Sequence, residues 1–463
     1  MFQVAAEQIS NIAVLDDNGK VYTYGDLEKL KEVYGSCIQE RSLVLVLCDY
    51  NIETASFYYC MMRLENVPML LDAKLDGALL ENILMQYEPN YIWISKKRQE
   101  QLEIGGTIIK ETDGYVLLSY CNERIEVHPD LGLLLTTSGS TGSPKFVRLS
   151  KEGIIYNANI AVNMFRLSPM DRAITAVPMN FSYGLAAIHM QWLAGGSMLF
   201  TEKSMLNPSF WPLLNEYKVT NFGGVPFNYD MMLKAGFLEK DFPTLRFITE
   251  AGGKLSEKNQ KIFGEALKRK GIGFYIAYGI TEGTGWLTCL PLERMLEKPG
   301  SIGSVVKGMQ AVLEDADENG ESELCFVGKS ISMGYAAKKE DLCLADENQG
   351  YLKTGDIAYM DEDGDIFLRG RKTRFIKILG KRVSLDEAQN ILNIEFSLCQ
   401  FAVTGKDDSM WIFFSGEGEE KEIKVFCERK FSISRQMIQV QHMETLPFSS
   451  SGKLLYEKLE MPV

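Results

Sequence analysis

Short apolar strands alternating with helix-length segments predict an α/β protein built on doubly wound sheets. Two further observations refine this. The chain has 463 residues, against roughly 100–200 for one domain, and its texture changes twice, past Gly285 and again at Arg371. The expected architecture is a large N-terminal α/β body with a β-rich subdomain, residues 1–370, followed by a small α+β C-terminal domain, residues 371–463.

The elements follow in order. Leu43–Cys48 (LVLVLC) reads as a buried strand and Ile52–Leu64 as the helix after it. Further strands are expected at Ala173–Val177, Ser197–Phe200, Asn221–Val225, Phe247–Glu250 and Phe274–Tyr278. Helices are expected at Asn157–Phe165, Phe227–Lys234 and Glu257–Arg269. Past Gly285, turns such as Asp315–Gly320 and Asp361–Gly364 separate short strands, which suggests antiparallel pairing. The last block has its own strand, helix and strand signals at Phe375–Leu379, Leu385–Leu392 and Trp411–Phe414.

Composition narrows the function. Lys plus Arg number 49 and Asp plus Glu 62, a net charge of −13, so a generic nucleic-acid or anionic-membrane binder is disfavoured. The nine cysteines contain no CxxC pair, which suits neither a zinc site nor a disulfide framework and fits a reducing, cytoplasmic setting. The stretch MFQVAAEQISNIAVLDDNGK lacks a basic start and an apolar run, so no secretory leader is expected. No segment approaches the roughly 20 apolar residues of a membrane span. With three histidines, His128, His189 and His442, imidazole acid–base chemistry is disfavoured.

The densest motif is the run from Leu133 to Lys145, LLLTTSGSTGSPK. Its glycines let backbone N–H groups approach a polyphosphate, its hydroxyls add donors, and Lys145 adds charge. It is not a Walker A motif: the GxxxxGK[ST] spacing is absent, and Phe-Val-Arg-Leu follows Lys145 where a P-loop needs a helix. Gly328-Lys329-Ser330 is read as a turn, because Glu323 stands where the first P-loop glycine belongs.

The stretch Thr137–Lys145 resembles the signature loop of the adenylate-forming (AMP-binding) superfamily, which includes acyl- and aryl-CoA synthetases, peptide-synthetase adenylation domains and luciferases. Further motifs resemble that family in order: Tyr22–Leu27, Gly224–Pro226, Glu250–Leu255, Tyr278–Glu282 (YGITE), Tyr351–Asp356 (YLKTGD), Gly370–Val383 and Pro447–Lys453. The resemblance implies that a carboxylate attacks the α-phosphate of ATP and expels pyrophosphate. The nucleophile is already an anion, so the task is charge neutralisation and positioning rather than base catalysis.

By this resemblance, Thr137, Ser138, Gly139, Ser140, Thr141, Gly142 and Lys145 cradle the β- and γ-phosphates. Thr281 touches the α-phosphate and Glu282 holds Mg²⁺. Gly252, Tyr278 and Gly279 serve the adenine region, and Asp356 with Arg371 serves the ribose. Outside these motifs, Glu282 would read as a solvated acid, Asp356 as a turn residue and Lys453 as a surface lysine. Within them, Lys453 is the catalytic lysine bridging carboxylate and α-phosphate. Lys377 stays open between ligand contact and solvated edge. Family members rotate a mobile C-terminal domain between two reaction steps; the hinge position is Thr373, where Asp or Lys is usual, and the loop with Gly380 serves the thioester step.

Pro178–Gly184 (PMNFSYG) occupies the substrate-pocket motif, making Phe181, Tyr183 and Gly184 candidate pocket residues, with Trp286 beside them. The segment Asn180–Leu185 holds no acid to pair with an amino acid's ammonium, which favours an uncharged acyl or aryl acid. The implied acceptor is a phosphopantetheine thiol, on CoA or an acyl carrier protein. The rival readings are an amino-acid–carrier-protein ligase and a nucleotide-binding scaffold without catalysis.

Overall fold

The computed structural model describes residues 1–2, 5–136, 145–316, 322–378, 381–431, 433–448 and 454–459, with the backbone alone for residues 373, 377, 381, 382 and 457. The chain divides into two compact units, one comprising Met1–Gln310 and Phe326–Leu352, the other Ala311–Cys325 and Lys353–Val463.

Two sheets organise the first unit. Among the described residues one has nine strands, with Gly273–Tyr278, Phe247–Glu250, Asn221–Gly224, Arg172–Ile174, Ser197–Phe200 and Ile12–Asp16 adjacent in that order. These six run parallel, and antiparallel strands close both edges. The other sheet, eight-stranded among the described residues, centres on Leu43–Cys48 between Val67–Asp72 and Tyr91–Ser95, again parallel. Leu43–Cys48 is buried at every position, as a strand covered on both faces requires. Phe57 of the helix Ile52–Arg63 stacks on Trp93 at 4.2 Å, and Trp93 stacks on Tyr115 at 5.2 Å, fastening that helix to the sheet.

The expected strands and helices are present, with two instructive differences. The helix expected from Asn157 starts at Lys151, because Ser150 ends a strand and accepts the Gly153 N–H at 2.9 Å, an N-cap hidden inside an apolar run. The strand expected over Ala173–Val177 is Arg172–Ile174. Beyond it the Thr175 hydroxyl accepts the Thr201 N–H at 3.3 Å, and Pro178 has no N–H to extend a ladder. Lys145 leads into the strand Phe146–Ser150, which pairs antiparallel with Leu131–Thr136, so no P-loop helix follows it.

In the second unit the stretch from Asp356 to Met360 pairs antiparallel with Ile366–Arg371. The turn expected at Asp361–Gly364 is held by Asp361 Oδ1, which accepts from the Asp363 and Asp365 amides. Asp315–Gly320 falls largely outside the described residues. A three-stranded sheet, Cys399–Lys406, Ser409–Gly416 and Ile438–His442, packs with the helices Leu385–Glu395 and Glu420–Phe431 around Leu392, Val403, Ile412, Phe414 and Ile423.

One core residue is costly. Glu250 is 0% exposed, and neither carboxyl oxygen has a hydrogen-bond partner among the described residues. A Cβ on Gly224, its register partner, would meet Asn228 and Tyr229, so Glu250 projects onto the helix Pro226–Lys234. Burial pushes its carboxyl well above the usual carboxylate range. The folded chain therefore holds this proton more tightly than the unfolded chain, whose glutamates titrate near about 4.3. The contribution to stability is complete below that pH and falls as pH rises. Glu250→Gln is expected to stabilise the protein by about 1–3 kcal/mol at pH 8 and by little at pH 4.5; denaturant melts at the two pH values measure the difference.

Candidate functional site

Parallel sheets bind ligands beyond the carboxyl ends of their strands, and the first unit collects its predicted site residues there. Tyr278 ends the strand Gly273–Tyr278, its ring stacked 6.0 Å from Phe326. A Cβ on Gly279 would lie 1.8 Å from the Gly285 carbonyl oxygen, so only glycine lets the chain double back there. The single turn Thr281–Gly283 then presents Thr281 and Glu282. The Thr281 hydroxyl lies 3.4 Å from Ser182 Oγ, at the start of the helix Ser182–Leu193. Gly252 lies two residues past the end of the strand Phe247–Glu250.

The aromatic segment meets the same edge. Phe181 is the N-cap residue of the helix Ser182–Leu193. The Tyr183 hydroxyl bonds the Thr249 carbonyl at 2.8 Å and lies 2.7 Å from the Thr249 hydroxyl, and burial pushes its phenol well above the usual range. Trp286, 2% exposed, packs edge-on against Tyr183 at 5.7 Å and Phe165 at 5.2 Å. Gly184 is fixed by packing, since a Cβ there would lie 2.2 Å from the Pro178 carbonyl oxygen. Ser182, between Phe181 and Tyr183 in the chain, thus meets Thr281, and Tyr183 meets Trp286.

Lys145 is exposed at the start of Phe146–Ser150. Thr137, Ser138, Gly139, Ser140, Thr141 and Gly142 lie outside the described residues, as do Gly380 and Lys453. In the second unit Asp356 and Arg371 are register partners on adjacent strands, Arg371 Nε to Asp356 Oδ1 at 2.7 Å. The Asp356 side chain is 8% exposed and that of Arg371 46%, so a mostly buried carboxylate is paired with a guanidinium that reaches solvent. Thr373 lies in the turn Lys372–Arg374 and Lys377 on the strand Phe375–Ile378; their side chains lie outside the described atoms.

Two residues escaped the sequence reading. The Tyr335 hydroxyl donates to Glu282 Oε1 at 2.6 Å. Arg148, on Phe146–Ser150, is wholly buried and donates to the carbonyls of Met333, Tyr335, Leu344 and Ala345, with Glu347 Oε2 at 2.7 Å. An arginine inside the apolar run Phe-Val-Arg-Leu was the available signal, because a buried guanidinium must find acceptors.

Magnesium suits the chemistry present. Among the described residues no cluster of three or more His, Cys, Asp or Glu is arranged for a metal, whereas Mg²⁺ is commonly held by one or two carboxylates plus substrate phosphates. Glu282 supplies one such oxygen donor beside the Thr281 hydroxyl. Among the described residues no helix is long and apolar enough to cross a membrane.

Comparison with known proteins identifies the family. The family described as AMP-binding enzyme matches residues 1–336. A 2-succinylbenzoate–CoA ligase of Listeria monocytogenes is 28% identical over 459 residues, covering 96% of this chain and 94% of the relative. The oxalate–CoA ligase of Arabidopsis thaliana is 29% identical over 346 residues, covering 71% of this chain and 66% of the relative, just under two thirds of its length. Among solved structures, o-succinylbenzoate CoA synthetase from Bacillus subtilis with its acyl-adenylate intermediate superposes with a TM-score of 0.79 at 18% identity, covering 98% of this chain and 96% of that one. At that identity the likeness concerns the fold.

The Arg148 anchor makes a test of the local architecture. Arg148→Met strands several buried carbonyls and is expected to cost about 3–5 kcal/mol of stability, read as a lowered denaturation midpoint.

Proposed function

Because the chain belongs to the family of AMP-binding enzymes, we propose that it activates a carboxylic acid with ATP and Mg²⁺ to an acyl-adenylate, releasing pyrophosphate, and passes the acyl group to a phosphopantetheine thiol. The observation that carries this reading is the convergence of Tyr278, Thr281, Glu282, Tyr183 and Trp286 at the carboxyl edge of adjacent parallel strands. That arrangement joins a candidate nucleotide edge to an aromatic pocket wall.

The chemistry asks little of a proton carrier. The attacking carboxylate is an anion, and the barrier lies in bringing it to a triphosphate. Thr281 donates to the α-phosphate, Lys145 and the loop before it hold the outer phosphates, and Asp356 with Arg371 orients the ribose. Glu282 would hold Mg²⁺, which when bound neutralises phosphate charge. Lys453 bridges the attacking oxygen and the α-phosphate. The functional division is set at residues 370/371, with Thr373 as the hinge that withdraws Lys453 before the thiol attacks and Gly380 in the loop that replaces it.

The substrate is an acyl or aryl acid without an ammonium group. Glu250, the acid nearest Tyr183 in sequence register, projects to the opposite face of the sheet, so it does not supply the carboxylate an amino acid would need beside Tyr183. The acceptor is CoA, with an acyl carrier protein as the second candidate for the same thiol chemistry.

A panel of fatty, aryl and amino acids in ATP–pyrophosphate exchange tests the reading: exchange with an acyl or aryl acid is expected, and exchange with amino acids alone would overturn it. Lys453→Ala is expected to reduce adenylate formation to below about a hundredth of wild type while thioester formation from supplied acyl-adenylate persists. Wild-type exchange by that variant removes Lys453 from the mechanism. Trp286→Leu is expected to shift kcat/KM toward bulkier acids by about tenfold or more, measured by competition between two acids of different size.

A further inference from the structure

The segment leading into Tyr335 is tied to Glu282 at two levels. The Ser332 amide donates to the Glu282 carbonyl at 2.8 Å, and the Thr284 hydroxyl bonds the Ser330 carbonyl at 2.5 Å. Beside these ties, the Tyr335 phenol donates to Glu282 Oε1 at 2.6 Å. Among the described residues this is the hydrogen bond that the Glu282 carboxylate receives.

Tyr335 reaches Glu282 because Arg148 holds its backbone. Tyr335–Ala336 pairs antiparallel with Phe146–Ser150, Tyr335 opposite Val147. The Arg148 amide donates to Gly334 O at 2.9 Å, and Met333 N donates to Arg148 O at 2.8 Å. The buried guanidinium then takes the carbonyls on either side of Gly334, those of Met333 and Tyr335. The Tyr335 side chain itself is different: the residue is 46% exposed. A phenol that far in solvent contributes little core packing, and its hydroxyl makes a charge-assisted bond to a carboxylate.

We propose that Tyr335 is a positioning residue for Glu282. Its hydroxyl occupies Oε1 and removes the rotational freedom of an otherwise solvated glutamate, so that Oε2 is the oxygen offered to the metal. Groups that orient a ligating carboxylate commonly change metal affinity by about 10–100-fold when removed. The inference rests on the reading of Glu282 as the Mg²⁺ ligand. It goes beyond that reading by assigning metal affinity to a residue outside the motifs that point to the metal.

The test is Tyr335→Phe beside Glu282→Gln, each read in two ways. Mn²⁺ affinity of the ATP complex is measured by electron paramagnetic resonance, which requires no acid substrate. The Mg²⁺ dependence of pyrophosphate exchange is measured with an accepted acid. Tyr335→Phe is expected to weaken Mn²⁺ binding about tenfold, to raise the half-saturating Mg²⁺ concentration by the same factor, and to recover kcat at saturating metal with an unchanged melting temperature. If Glu282→Gln weakens Mn²⁺ and Tyr335→Phe does not, the positioning role is wrong while the metal-ligand reading stands. If Glu282→Gln leaves Mn²⁺ affinity unchanged, the ligand reading fails and the positioning role falls with it. A Tyr335→Phe variant that loses kcat at saturating metal with normal Mn²⁺ affinity also overturns the proposal.

Discussion

A guanidinium with no exposed surface is tolerable only where carbonyl oxygens replace its water. Arg148 meets that condition by gathering carbonyls from Met333, Tyr335, Leu344 and Ala345, none of them near it in sequence. The segment they come from also buries Met333, Ala336 and Leu342 in the core, and this one side chain ties its carbonyls to the strand Phe146–Ser150. Because Arg148 sits on the strand that Lys145 enters, and the gathered segment also bonds Glu282, a single buried cation links that strand to the segment holding the candidate metal ligand.

The parallel sheet supplies the complementary constraint. Strands buried on both faces leave polar chemistry only at their ends, and the candidate residues of the first unit occur where strands give way to loops. Tyr278 is the last residue of its strand, Gly252 lies two residues past the end of another, and Phe181 caps the start of a helix. Gly279 and Gly184 were marked as site residues by motif, yet each has a local reason to be glycine that involves no ligand, the close approach of a carbonyl oxygen. A family motif can therefore hold packing residues and contact residues side by side.

Much of the fold was legible because it rests on local patterns. Leu43–Cys48, Ser197–Phe200 and Phe247–Glu250 are apolar runs with turn signals at their ends, and they are strands at those residues. The hidden start of the helix at Lys151 was not legible, because its cap, Ser150, also ends a strand. Of the candidate site, Tyr278, Thr281 and Glu282 were marked by motif, whereas Tyr335 was not legible. Its bond to Glu282 depends on strand pairing between distant segments, which leaves no periodic trace. Glu250 was read only as part of a motif, and its cost arises from tertiary burial that a sequence pattern does not record.

The carbonyl of Thr249 receives two phenols, Tyr183 from one helix and Tyr229 from another, each at 2.8 Å. A Cβ on Gly223 would meet Tyr183 and one on its neighbour Gly224 would meet Tyr229, so the two rings approach from opposite faces of the sheet. The layers above and below the strand thus share a single peptide oxygen. Any repositioning of Tyr183 therefore changes the competition for that oxygen, and the layer that holds Tyr229 registers it without contact between the two helices' rings.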